Sequence, residues 1–152
     1  MSDYIIGIDP DSGKHGMALY AFGELVRLES MSLIDVMTMI DADFSADEFD
    51  DIEVHIEDVN GVSAAFMAKG KAANINVKLK MAQHIGMCKQ SQIELERLFE
   101  YYGIKVVRHR ISKQWKDKGG KVLFERVTGW DGRSNEDTRS AAYFGWIGVT
   151  RK

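Results

Sequence analysis

The chain has 152 residues, 45% of them hydrophobic and 28% charged, with one proline and one cysteine. These figures suit one globular domain over residues 1–152 and leave no room for a second domain of ordinary size. They also exclude a membrane helix, because no apolar run approaches the roughly 18 residues required. No apolar stretch follows a basic N-terminal segment, and Cys88 has no partner for a disulfide within the chain, so a soluble cytoplasmic protein is expected. The net charge of −3 conceals two opposite halves. Residues 1–60 set 15 acids against Lys14 and Arg27, a balance of −13, whereas residues 61–152 set 18 bases against 8 acids, a balance of +10. Either the two surfaces neutralise each other, or the basic half meets a polyanion while some of the acids hold metal ions.

Tyr4 to Asp9 (YIIGID) reads as a strand that ends in the turn formers Asp9-Pro10-Asp11-Ser12-Gly13. Gly16 to Tyr20 and Glu24 to Glu29 follow so closely that only hairpins can join them, which predicts an antiparallel meander. Ser32 caps a helix through about Asp41, with Leu33, Val36, Met37 and Ile40 at helical spacing. The acidic stretch Asp41 to Asp51 reads as a solvated loop or helix end, because so many like charges cannot be buried together. Ile52 to Val59 alternates, with Ile52, Val54 and Ile56 on one face and Glu53, His55 and Glu57 on the other. Residues 61–75 are small, polar and basic without periodicity. Val77 to Tyr102 predicts a long helix that Gly103 stops, and Ile104 to Val107 a fifth strand. Short helices are expected from Ser112 to Trp115 and from Lys121 to Val127, and a last one from Glu136 to Val149. Helical crossovers before strands four and five make both parallel to the first. The expected fold is therefore α/β, a mixed five-stranded sheet flanked by helices.

The turn Gly7 to His15 does not make a phosphate-binding P-loop. Five residues separate its glycines where four are needed, His15 stands in the hydroxyl position, and a strand follows instead of a helix. Asp9 closes the first strand, with Ile6 and Ile8 facing away from it, and Glu57 ends the fourth in the same manner. If those strands are neighbours, the two carboxylates come within reach of one metal ion. Glu136 and Asp137 add acids at the start of the last helix, where they also offset the helix dipole by about 0.3–1 kcal/mol. Oxygen donors of this kind suit magnesium. Zinc is disfavoured, since the chain has one cysteine and no close histidine pair: His15, His55, His84 and His109 are dispersed. Cys88, inside a helical pattern, reads as a small core or interface residue.

The segments GIDPDSGKHGMALY, IEDVNG, SKQWK and EDTRSAAYFGW, in this order over nearly the whole chain, resemble the ribonuclease H-like nuclease superfamily. Within it they are most similar to the RuvC-type Holliday junction resolvases, particularly the small phage-encoded ones. The resemblance implies a homodimeric endonuclease that cuts branched DNA with two Mg²⁺ ions, for which Mn²⁺ substitutes, leaving 5′-phosphate and 3′-hydroxyl ends. It assigns the metal-binding catalytic acids to Asp9, Glu57 and Asp137. The family's second acid on the final helix falls on Ser140, so Glu136, or else Asp11, Asp58 or water, has to supply the fourth ligand.

Two basic clusters flank these acids: Lys69, Lys71, Lys78 and Lys80 after Glu57, then Arg108, Arg110, Lys113, Lys116, Lys118 and Lys121 after the fifth strand. They suit phosphate contacts. Phe66 lies near the position where the family has an aromatic that stacks at the junction crossover, and is either that wedge or a core phenylalanine; Trp115 is expected to pack beneath the site with Lys113 and Lys116 facing DNA. The long helix has apolar positions to spare for a dimer interface. The alternatives are a ribonuclease of the same fold that processes RNA, and a nucleic-acid-binding module without activity.

Overall fold

The computed structural model describes residues 2–61 and 75–151. Strands β1 (Tyr4–Asp9), β2 (His15–Ala21) and β3 (Glu24–Met31) form the antiparallel meander. Helix α1 (Leu33–Asp43) and a 3₁₀ turn (Ala46–Asp51) lead to β4 (Ile52–Glu57), which pairs in parallel with β1. Helix α2 (Ile75–Tyr102) leads to β5 (Lys105–His109), parallel to β4, and helices α3 (Lys118–Thr128) and α4 (Glu136–Thr150) close the domain. The sheet order is β3-β2-β1-β4-β5. Among the described residues, no helix is long and apolar enough to cross a membrane.

Period-two alternation divides the core into two layers. Ile6, Ile8, Ile52, Val54 and Ile56 pack with Val36, Ile40, Leu95 and Phe99 on the α1–α2 side of the sheet. Ile5, Ala18 and Tyr20 pack with Trp115, Phe124, Ala141 and Ala142 on the α4 side. Ser32 caps α1 by reciprocal bonds with Asp35 of 3.0 and 3.1 Å, and Gly103 ends α2 at φ 74°.

Three expectations change. The helix placed at Ser112–Trp115 is a turn: the Ser112 hydroxyl accepts from the Gln114 amide at 3.2 Å, and Trp115 takes a left-handed φ of 66° that no helix tolerates. The next helix begins at Lys118 instead of Lys121, because Asp117 caps it by accepting from the Gly120 amide at 2.6 Å. Strand β4 stops at Glu57, and Val59–Gly61 turns as a 3₁₀ helix.

Helix α4 lies unusually close to the sheet. A Cβ on Gly7 would strike the Ala141 carbonyl and one on Gly16 the Asp137 carbonyl, while Gly145 and Gly148 admit the rings of Tyr20 and His55. Glycine from both partners thus lets backbone approach backbone, and the start of α4 is pressed against the end of β1.

Candidate metal centre

Ile8 pairs with Ile56 in the parallel ladder, so Asp9 and Glu57 are the next rung, on strands about 4.8 Å apart. They face α4, as do Gly7 and His55 two residues before them. Contact between Gly16 and Asp137 brings the first turn of α4 to the same place, and Ser140, one turn on, lies against Asp9. The structure therefore gathers Asp9, Glu57, Asp137 and Ser140. Glu136 is exposed. Asp58 is engaged elsewhere, accepting from Gln92 Nε2 at 3.1 Å.

Asp9 and Glu57 are only 4% and 5% exposed, yet Asp9 Oδ2, Glu57 Oε2 and the Ser140 hydroxyl have no hydrogen-bond partner among the described residues. The nearest cation among the described residues, Lys116 Nζ, stands 3.5 Å from Asp9 Oδ2, too far for a strong hydrogen bond. Burial lifts the Asp9 carboxyl above its ordinary range, with Lys116 and Ser140 opposing it. Burial and the charge of Asp9 push Glu57 up to about 8. Burial, then Asp9 and Asp11, also raise Asp137. Lys116 loses stability as a cation by burial, but Asp9, Glu57 and Asp137 outweigh that and hold its pKa above the usual lysine value. Among the described residues three acids thus share one ammonium group, an arrangement whose unmet demand is for cationic charge.

Lys116 reaches the centre through features that sequence reading missed. The left-handed Trp115 reverses the chain just before it, and Gly120 makes the reversal possible, since a Cβ there would lie 2.6 Å from Trp115 Cα. Arg139, buried in α4, then clamps the turn: its Nε and Nη2 donate to the carbonyls of Trp115 and Lys116 at 2.8 and 2.6 Å, and Nη1 to Ser134 Oγ at 3.1 Å. Trp115 packs beneath as expected, against Phe124, Tyr143 and Trp146. Gln92 of α2 similarly fixes the chain after Glu57, accepting from the amides of Val59 and Asn60 at 2.8 and 3.2 Å. An arginine within a helix, or a glutamine on one, carries no local signal of such a role.

Of the expected phosphate contacts, Lys78, Lys80, Lys113 and Lys118 are exposed, and Lys116 is half-buried against Asp9. Phe66, Lys69 and Lys71 lie outside the described residues. Arg108 is tied to Glu96 by bonds of 3.1, 3.0 and 2.5 Å. A cleft of about 380 Å³ opens at the ends of β4 and β5, lined by Asp58, Gly61, Arg108, His109, Arg110 and Ile111. The histidines are less dispersed than their numbering suggests, because the β4–β5 pairing stacks His55 on His109 with 2.6 Å between ring nitrogens.

No family model matches the chain, and no curated protein matches it by sequence. Among solved structures it is similar to RuvC of Thermus thermophilus in complex with Holliday junction substrate, at TM-score 0.59 and 12% identity over 94% of this chain and 90% of that one. A second Thermus thermophilus RuvC structure gives TM-score 0.56 and 10% identity over 94% and 91%. The fold is RuvC-like, within the ribonuclease H-like architecture.

Proposed function

We propose that this chain is a divalent-metal-dependent endonuclease that cuts four-way junctions and other branched DNA as a homodimer. The observation that carries the reading is the buried group of orphaned oxygens, Asp9 Oδ2, Glu57 Oε2 and Ser140 Oγ, beside Asp137 at one end of a RuvC-like sheet. Buried carboxylate oxygens without hydrogen-bond partners fit hard cations, which take oxygen ligands and leave further positions to water and phosphate. Asp9 bridges the two ends of the group, with Glu57 on one side and Asp137 on the other. Ser140 offers a neutral oxygen where a fourth acid would stand, and Asp11 lies next to Asp137.

Bound Mg²⁺ or Mn²⁺ would supply a polarised phosphate and an activated water for in-line displacement, leaving 5′-phosphate and 3′-hydroxyl ends. The acids hold the cations without competing as nucleophiles. Lys116 Nζ stands 3.5 Å from Asp9 Oδ2, and with cations held by the acids its ammonium would be available to a phosphate oxygen of the DNA. The exposed lysines after β5 and Arg110 at the cleft would track the backbone beyond the cut.

The decisive assay offers synthetic four-way junctions, flaps, linear duplex and RNA–DNA hybrids to the protein with Mg²⁺ or Mn²⁺, beside the Asp9→Asn and Glu57→Gln variants. Paired nicking of the junction, abolished in both variants, is the expected result. Preferential cutting of an RNA strand would make it a ribonuclease. Ser140 in place of an acid favours one second reading, a junction-binding module without cleavage, which binding without nicking in either metal would establish.

A further inference from the structure

Outside the carboxylate centre, a second group of donors comes together where the turn after β1 meets the middle of α2. His84 and Cys88 are four residues apart on the helix and share a face, and Asp11 meets them from the β1–β2 turn. His84 Nε2 is 3.6 Å from Asp11 Oδ1 and 3.6 Å from Cys88 Sγ, and Cys88 Sγ is 3.8 Å from Asp11 Oδ1. The triangle is nearly equilateral, and none of its edges is a short hydrogen bond. In a tetrahedral ion with bonds of about 2.0 Å to nitrogen or oxygen and about 2.3 Å to sulfur, ligand atoms lie about 3.3–3.5 Å apart. Closing by a few tenths of an ångström would bring all three onto one cation.

We propose that Asp11, His84 and Cys88 form a binding site for a divalent transition-metal ion of the zinc class, separate from the carboxylate centre. The donor set decides the class of ion: a thiolate and an imidazole select zinc or cobalt, whereas magnesium prefers oxygen throughout. The sequence disfavoured zinc on its one cysteine and dispersed histidines, whereas the fold brings Asp11, 73 positions before His84, to His84 and Cys88. His84 is exposed, and Asp11 and Cys88 are partly so, which leaves an entry path and a fourth position open to water. Asp11 also lies beside Asp137, so an ion held here would anchor α2 next to the carboxylate centre and fix that flank of it.

The test titrates Co²⁺ into the purified protein in excess Mg²⁺, so that the hard oxygen centre is already occupied. Cys88 is the only cysteine, so a thiolate-to-cobalt charge-transfer band can arise from it alone. The expected result is one equivalent of Co²⁺ with that band and tetrahedral d–d intensity, displaced by Zn²⁺. His84→Gln and Asp11→Asn should each weaken Co²⁺ binding by about tenfold or more, and Cys88→Ser should abolish the band. Asp9→Asn and Glu57→Gln should retain it, whatever they do to DNA cleavage. Absence of the band overturns the proposal, as does unchanged affinity in folded His84→Gln or loss of the band in Asp9→Asn. His84 is exposed on its helix, so that variant tests ligation without disturbing the core.

Discussion

Replacing Glu57 with glutamine should stabilise the metal-free protein at neutral pH while abolishing its cleavage activity. The Glu57 carboxyl is raised from an ordinary 4.5 to about 8 by burial and by Asp9. Between those values the folded protein holds a proton that the unfolded chain has released. The contribution of Glu57 to the stability of the metal-free form is therefore complete below pH 4.5 and is lost as pH rises to 8. By linkage the penalty is about 1 kcal/mol at pH 5 and about 3 kcal/mol at pH 7. Glutamine removes the charge but needs partners for its amide, at a cost on the order of 1–2 kcal/mol. The net gain at pH 7 is about 1–2 kcal/mol, or about 2–8 °C in Tm for a domain of this size, and at pH 5 it vanishes or changes sign. Thermal melts of both proteins in chelator, from pH 5 to pH 8, measure this directly. The difference between them reports Glu57 together with its coupling to Asp9 and Lys116. Adding Mg²⁺ should then stabilise the wild type more than the variant, and increasingly so at higher pH. A variant less stable by a constant amount across the range would refute the reasoning, because an uncompensated buried charge must give a pH slope.

Ser140→Asp should lower the Tm of the metal-free protein by adding a fourth acid to an undercompensated group, and should lower the Mg²⁺ concentration needed for half-maximal junction cutting. Gly16→Ala should destabilise by about 1–3 kcal/mol or more in denaturant melts, because its Cβ meets the Asp137 backbone and forces α4 outward. Arg139→Lys, which keeps the charge but cannot span both carbonyls of the Trp115–Lys116 turn, should cost about 2–3 kcal/mol in the same melts. Acidification should also unfold the protein through its stacked histidines. Burial lowers both, His109 to about 4, so the unfolded chain binds more protons and stability falls as pH drops below the ordinary 6.5 towards 4. His109→Gln should flatten that acid limb of the melting curve.

The architecture was legible because its signals are local. Alternation in YIIGID and IEVHIE is a property of a few consecutive residues, and helical crossovers leave parallel strands as the one economical arrangement. Asp9 and Glu57 followed from the same pattern, since each ends a strand on the side away from the isoleucines. Ser112-to-Trp115 failed for the opposite reason. Its helix-like composition is overruled by Gly120 and Arg139, one supplying space for Trp115 and the other binding its carbonyl, and both lie beyond any local window. The ligand cluster on α2 was equally invisible, because a histidine four residues before a cysteine is ordinary helix sequence until the turn carrying Asp11 is placed beside it.

Local rules are broken at a few points, and those points converge. Two buried acids each keep one oxygen without a hydrogen-bond partner among the described residues, a tryptophan adopts a left-handed backbone, and a helix is drawn against a sheet through glycines on both sides. Each departure costs free energy in the metal-free protein. The glycine packing fixes Asp137 beside Asp9, the strained turn delivers Lys116, and Arg139 holds that turn in place. A fold selected for stability alone would have placed apolar residues at the rung after Ile8 and Ile56. That these costs fall around one group of unsatisfied oxygens argues that the strain there is maintained for a ligand, and the chemistry of those oxygens fits a cation.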